Sequence, residues 1–351
     1  MFFFFHLLSA ATFLFRMAEA AAMPPLNPYQ PTTGSSHSQQ HCQNPLQRRE
    51  WRTLSTDEKQ DYIEAVQCFQ SKPAINPTIK ASKSRFDEFQ SYHISIADSV
   101  HFVGQFLPWH RLFLKYYEDA LRNECGYTGA HPYWDWTLDS ESDEDFVNSP
   151  IWDPDTGFGG DGVPGTYTLP PYGNDSRIRP DEFVGCVQDG PFADYTLSLG
   201  PGKLVTNHCL VRGFNSTAAR IYLTASQVAN TTSQNSFEEF RIQLEGGSQT
   251  PDRKLHDSGH TSVGGDMSNF YSSPGDPIFY LHHANLDRIW WFWQNLKPAH
   301  MYDVSGRSSA IAASPPNVTL EFPLLMGNLG KTVPIRDVID IHSDENCYTY
   351  I

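Results

Sequence analysis

Six histidines fall into two groups of three, and no other feature constrains the fold as much. The first group is His93, His101 and His110; the second is His256, His260 and His283. Three neutral imidazoles form a complete ligand set for one metal ion, so each group must converge on a point. In His101-Phe-Val-Gly-Gln-Phe-Leu-Pro-Trp-His110 the two histidines are nine residues apart. On one unbroken helix that step is about 900°, which points the rings in opposite directions. Pro108 removes the conflict, because proline belongs in the first turn of a helix. The sequence therefore predicts a new helix starting near Leu107, with His110, Phe113 and Tyr117 on its inner face.

The second group repeats the logic. His256 and His260 form an i, i+4 pair and project from one helical face. Asp276-Pro277 predicts an N-cap and first-turn proline for a further helix, on which His283, Asp287 and Trp290 share a face. His282 lies about 100° around that helix and is read as a neighbour, with His283 as the ligand. Imidazole-only sites suit zinc, copper, iron or nickel, so the ligands alone leave the metal open.

Residues 56–70 read as a helix with Thr56 as N-cap and Asp57 and Glu58 in its first turn. Residues 237–244 read as an amphipathic helix leading to Glu245. The stretch 140–235 is rich in Gly, Pro, Asn and Asp and reads mainly as loop, and the acidic run Asp139–Asp145 reads as solvated. The expected fold is mainly α: a four-helix-bundle core holding a dinuclear metal site, with long loops and little sheet. The two triads must meet, so everything between them belongs to one domain, set at 42–351.

Ahead of it, residues 2–15 are largely apolar, and Ala18-Glu-Ala-Ala-Ala22 offers small residues for cleavage. Residues 1–22 therefore read as a signal peptide and 23–41 as a disordered or pro-region. Two further signals agree with a secreted protein. Six cysteines, an even number, imply three disulfides with 15 possible pairings. Four glycosylation sequons start at Asn174, Asn215, Asn230 and Asn317. A net charge of −15 without a basic cluster argues against nucleic acid and anionic membranes as partners.

The stretches His101–Phe113 and Asp276–Trp290 resemble the two copper-binding signatures of tyrosinases and catechol oxidases, the type-3 copper proteins. Pro132-Tyr-Trp-Asp-Trp136, Leu244-Glu-Gly246 and Val263-Gly-Gly-Asp-Met267 extend the likeness, which covers roughly residues 40–350 and is strongest to short secreted fungal enzymes. The resemblance implies two copper ions, one per triad, with phenolic small molecules and O2 as reaction partners and o-diphenols converted to o-quinones. It implies that Phe279 packs over the metal pair and that Asp287 orients ligand rings. It implies that Glu245 takes the phenol proton through a water. Ser99 stands where many fungal relatives have a cysteine linked to the second ligand. Asp257 stands where efficient monophenol hydroxylases often have asparagine. A carboxylate there is expected to add like charge beside Glu245 and to disfavour monophenols. Tyr348-Thr-Tyr350 matches the marker that closes the catalytic domain, against Arg48 or Arg49, and only Ile351 follows where longer relatives carry a plug domain. The rival readings are a tyrosinase proper, a tailoring oxidase of secondary metabolism acting on tyrosine or phenol groups, and a haemocyanin-like oxygen carrier.

Overall fold

The computed structural model describes residues 42–246 and 253–351, so the expectations for 1–22 and 23–41 lie outside the described residues. The helices are α1 (Thr56–Ser71), α2 (Arg85–Val100), α3 (Phe106–Cys125), α4 (Asp143–Val147), α5 (Ser216–Tyr222), α6 (Ala225–Thr232), α7 (Phe237–Glu245), α8 (Leu255–Val263), α9 (Gly265–Ser268), α10 (Ile278–Leu296) and α11 (Ile335–Val338). The fold is mainly helical, with small sheets, as the sequence predicts.

Local chemistry accounts for the helix starts. The cap of α1 is Ser55, one residue earlier than expected: its hydroxyl accepts from the Glu58 amide while the Glu58 carboxylate accepts from the Ser55 amide. Ser84 and Asp87 build the same box on α2. Pro108 does sit in the first turn of α3. Asp276 is not the N-cap residue of α10, although its Oδ1 accepts from the Ile278 amide at 3.1 Å. Its carboxylate is shared with Arg212, which grips it through Nε and Nη2 at 2.8 and 2.9 Å.

Four helices make the core. α3 lies against α10, with Tyr117 stacked on Tyr280 at 3.6 Å and Phe113 on Tyr280 at 6.0 Å. α8 approaches α10 where Gly259 faces His282; a Cβ on Gly259 would sit 2.1–2.8 Å from three atoms of that ring. Only a residue without a side chain permits this contact. α2 packs beside α3 and completes the group.

The strands are short: β1 (Leu46–Arg48), β2 (Gly162–Pro164), β3 (Gly185–Val187), β4 (Thr196–Leu199), β5 (Val205–Cys209), β6 (Val211–Arg212), β7 (Pro323–Leu324), β8 (Val333–Pro334) and β9 (Tyr348–Tyr350). β1 and β9 pair in parallel, Leu46 opposite Tyr348, and the Cys42–Cys347 disulfide fastens the same two segments. Cys68–Cys125 ties the end of α1 to the end of α3, and Cys186–Cys209 links β3 to β5. Among the described residues no helix is long and apolar enough to cross a membrane.

The stretch 140–235 is mainly irregular, as expected, and carries the short helices α4, α5 and α6, the last two opened by side-chain caps from Asn215 and Thr224. One expectation needs correction here. Asp139 is not solvated: it is buried, accepts from Trp134 Nε1 at 2.8 Å and pairs with Arg52, while the rest of the acidic run starts α4.

Candidate metal centre

Each histidine comes from a core element. His93 lies on α2, and His101 is the C-cap residue of that helix in extended conformation (φ −118°, ψ 147°). His110 lies on α3, His256 and His260 on α8, and His283 on α10. All six are buried, and within each triad the candidate ligand nitrogens lie within 4.8 Å of one another. The triads face each other: the His110 and His283 rings stack at 4.5 Å, and His101 and His256 stack at 5.7 Å.

The second nitrogen of most rings is already committed. Nδ1 of His93, His101, His110 and His260 lies 2.8–2.9 Å from the carbonyls of Tyr271, Ala97, Phe106 and Met267. A carbonyl only accepts, so these Nδ1 atoms carry the hydrogen and each Nε2 presents a lone pair. Nε2 of His93 and His110 is buried without any partner among the described residues. Nε2 of His260 faces Nε2 of His256 at 3.1 Å and Nε2 of His283 at 3.2 Å. With the hydrogen of all three rings on Nδ1, these lone pairs converge and repel unless a cation lies among them. The separations fit nitrogens that share one ion at about 2 Å each. Burial pushes His93 and His260 down to about 4 and the other four well below the ordinary histidine range, so all six are neutral at pH 7 and able to ligate a metal. The residues present fit two metal ions.

His282 is turned away from this cluster. Its Nδ1 accepts from Trp136 Nε1 at 3.2 Å and its Nε2 donates to the His256 carbonyl at 3.1 Å, so both ring nitrogens are used. Phe279 sits among both triads, its ring 4.2 Å from His283, 5.4 Å from His93 and 5.7 Å from His260.

Asp287 is not among the ligand rings. Its Oδ1 accepts from Arg111 Nε at 2.6 Å, and its Oδ2 accepts from Tyr348 and Tyr350 hydroxyls at 2.6 and 2.7 Å. Those three donors engage both of its oxygens. Arg48, also buried, completes the cluster: Nη1 donates to Tyr350 at 3.0 Å and Nη2 pairs with Glu118 at 2.6 Å. Arg49 points outward to Glu58 instead.

Glu245 is buried at the end of α7 with both oxygens engaged. Oε1 accepts from the Phe102 amide at 2.5 Å and Oε2 pairs with Arg241 at 2.7 Å. Phe102 has φ 58°, an uncommon conformation for a side-chain-bearing residue, so the carboxylate holds a strained turn directly after His101. Burial pushes Glu245 up to about 8, against the pull of Arg241 and the Phe102 amide. The like charge that adds to this rise belongs to Glu238. Asp257, expected beside Glu245, faces away: it pairs with Arg253 at 3.1 Å and lies 3.7 Å from Arg179. Ser99 is exposed, and its carbonyl accepts from Gln105.

Sequence reasoning missed Phe270, whose ring lies 4.8 Å from His101, and Arg177, whose guanidinium lies 3.9 Å over Phe270. Both sit in irregular segments with no periodicity to mark an inward face.

Comparison with known proteins agrees with this geometry. Residues 83–296 match the family model for the common central domain of tyrosinase. A tyrosinase-like protein, phomQ1 of Diaporthe leptostromiformis, is 36% identical over 91% of this chain and 80% of its own length. N-acetyl-6-hydroxytryptophan oxidase ivoB of Emericella nidulans is 31% identical over 88% of this chain and 93% of its own. A solved polyphenol oxidase from Thermothelomyces thermophila, in a mutant form, superposes with a TM-score of 0.76 at 32% identity, covering 88% of this chain and 89% of that one. A functional unit of octopus hemocyanin shares the fold, with a TM-score of 0.54 at 22% identity.

Proposed function

The chain belongs to the tyrosinase family of copper oxidases, and from that premise we propose that it oxidises o-diphenols to o-quinones with reduction of O2 to water. The observation that carries the reading is the convergence of six neutral, buried imidazoles in two triads. His93, His101 and His110 would hold one copper, and His256, His260 and His283 the other. Bound copper supplies the redox capacity and a Lewis acid for the phenolic oxygen.

The protein's own residues set the rest. Phe279 packs its ring against His93, His260 and His283 of the two triads. Backbone carbonyls on Nδ1 fix which nitrogen four of the six rings, His93, His101, His110 and His260, present. Glu245 acts as a positioning residue: through the Phe102 amide it fixes the turn that aims His101. Asp287 acts further back, anchoring α10 to Arg111 and the two C-terminal tyrosines.

Diphenols are expected to outpace monophenols. The support is that both Glu245 oxygens are engaged, by the Phe102 amide and by Arg241, so this carboxylate is not free to act as base for a phenol with only one acidic hydroxyl. Oxygen uptake on the matched pair hydroxytyrosol and tyrosol tests this: equal rates would defeat the preference. The oxidase activity named for the Emericella relative favours a second reading, a tailoring oxidase of secondary metabolism acting on hydroxylated aromatic rings. We place the protein outside the cell, on the three disulfides, the four exposed sequon asparagines and the apolar leader. N-terminal sequencing of protein from its native host tests that placement, and an intact Met1 would refute it.

A further inference from the structure

The rim of the histidine site carries a cation that no described residue neutralises. His256 and His260 are the most exposed of the six ligands, at 8% and 7%, so the opening lies on their side. Four charged residues there compensate one another. Arg179 pairs with Glu182 at 2.9 Å and lies 3.7 Å from Asp257; Arg253 pairs with Asp257 at 3.1 Å and lies 3.8 Å from Glu182. Lys203 is paired with Asp98 at 3.2 Å.

Arg177 differs. It is exposed, and its guanidinium makes no ion pair or hydrogen bond among the described residues. Its position is nonetheless built. The guanidinium lies over Phe270, which in turn lies against His101. Its amide donates to Asp175 Oδ1 at 2.9 Å, and its carbonyl accepts from Asn269 Nδ2 at 3.2 Å. Asn269 Oδ1 accepts the amides of Tyr271 and Ser272, and Tyr271 supplies the carbonyl that orients His93. The cation is therefore tied to the same loop that orients a ligand of the first triad.

We propose that Arg177 is a specificity-determining residue that binds the carboxylate of phenolic acids while their ring occupies the histidine site. The inference rests on the phenol reading above. A guanidinium presents paired donors that match a carboxylate, and stacking on Phe270 holds it ready at little entropic cost. One aromatic ring separates it from His101, so the matching carboxylate is two or three carbons from the phenol ring. In a chain of net charge −15, a cation at the mouth with no partner among the described residues also offsets the local repulsion of anions.

The test compares hydrocaffeic acid with the neutral hydroxytyrosol on copper-loaded protein, and adds equilibrium binding of 3-phenylpropionate, which is not a diphenol. Arg177→Gln should raise KM for hydrocaffeic acid roughly tenfold with kcat held, the size of one charge-assisted hydrogen bond at a partly solvated site. Hydroxytyrosol kinetics should not change, Arg177→Lys should fall between, and 3-phenylpropionate should bind more weakly by a similar factor. Equal effects on acid and neutral diphenol, or unchanged 3-phenylpropionate binding, would overturn the assignment. If neither diphenol is oxidised while Arg177→Gln still weakens 3-phenylpropionate, the o-diphenol reading fails and the carboxylate site stands.

Discussion

Adjacent histidines with opposite fates show what decides a ligand at the residue scale. His283 turns its Nε2 to Nε2 of His260 within the second triad, whereas both nitrogens of His282 are satisfied by Trp136 and the His256 carbonyl. His283→Ala should therefore lose one of two coppers and all activity. His282→Ala should keep most of its copper, as read by metal analysis of the purified variants; the reverse pattern would exchange their roles. Glu245 gives a second test. A glutamine there can still accept from the Phe102 amide, so Glu245→Gln should retain activity within about tenfold, while Glu245→Ala should lose far more. Equal inactivation of both, with copper content intact, would instead make Glu245 the proton acceptor. Burial also sets a pH limit. His131, buried beside Tyr62 and Tyr117, is pushed down to about 4. Its folded-state affinity for protons is lower than in the unfolded chain, so its stability contribution is complete above about 6.5. That contribution fades as pH falls toward 4 and is worth roughly 3 kcal/mol at most. The melting temperature of metal-free protein should thus drop between pH 7 and pH 4.5, and less steeply in His131→Gln.

At the scale of the element, periodicity and punctuation marked the site helices well, and irregular backbone marked its surroundings poorly. Pro108 and the i, i+4 spacing of His256 and His260 were enough to place three histidines of the two triads on α3 and α8. Gly259 carried a signal that spacing alone could not interpret, because its role depends on His282 arriving from α10. Gly259→Ala should push that ring aside and lower copper occupancy of the second triad, measurable by metal analysis; full occupancy would contradict the close packing. The like-charge pairing expected for Asp257 failed because two arginines hold its carboxylate: Arg253 pairs with it at 3.1 Å and Arg179 lies 3.7 Å away. Asp287 was legible as an inward-facing residue of its helix, but its partners come from Arg111 and from residues 348 and 350. The cap of α1 makes a simpler test. Ser55→Ala should cost about 1 kcal/mol by denaturant titration, because it removes one half of a reciprocal capping box.

At the scale of the whole molecule, both ends of the described chain are drawn behind the metal centre. Arg48 from β1 and Tyr348 and Tyr350 from β9 meet Asp287 of α10 and Glu118 of α3 in a fully buried cluster. Closing the chain there braces two of the helices that carry histidines. Removing Arg48 would leave the Glu118 carboxylate buried and unpaired, at a cost of about 3–5 kcal/mol. The central claim concerns turnover, and a fold shared with an oxygen carrier does not decide it. The direct measurement is O2 uptake by the copper-loaded protein with excess hydroxytyrosol. The account predicts continuous consumption, one O2 for each two diphenols oxidised, abolished by His283→Ala. Reversible uptake that stops at one O2 per copper pair, with no quinone formed, would contradict it.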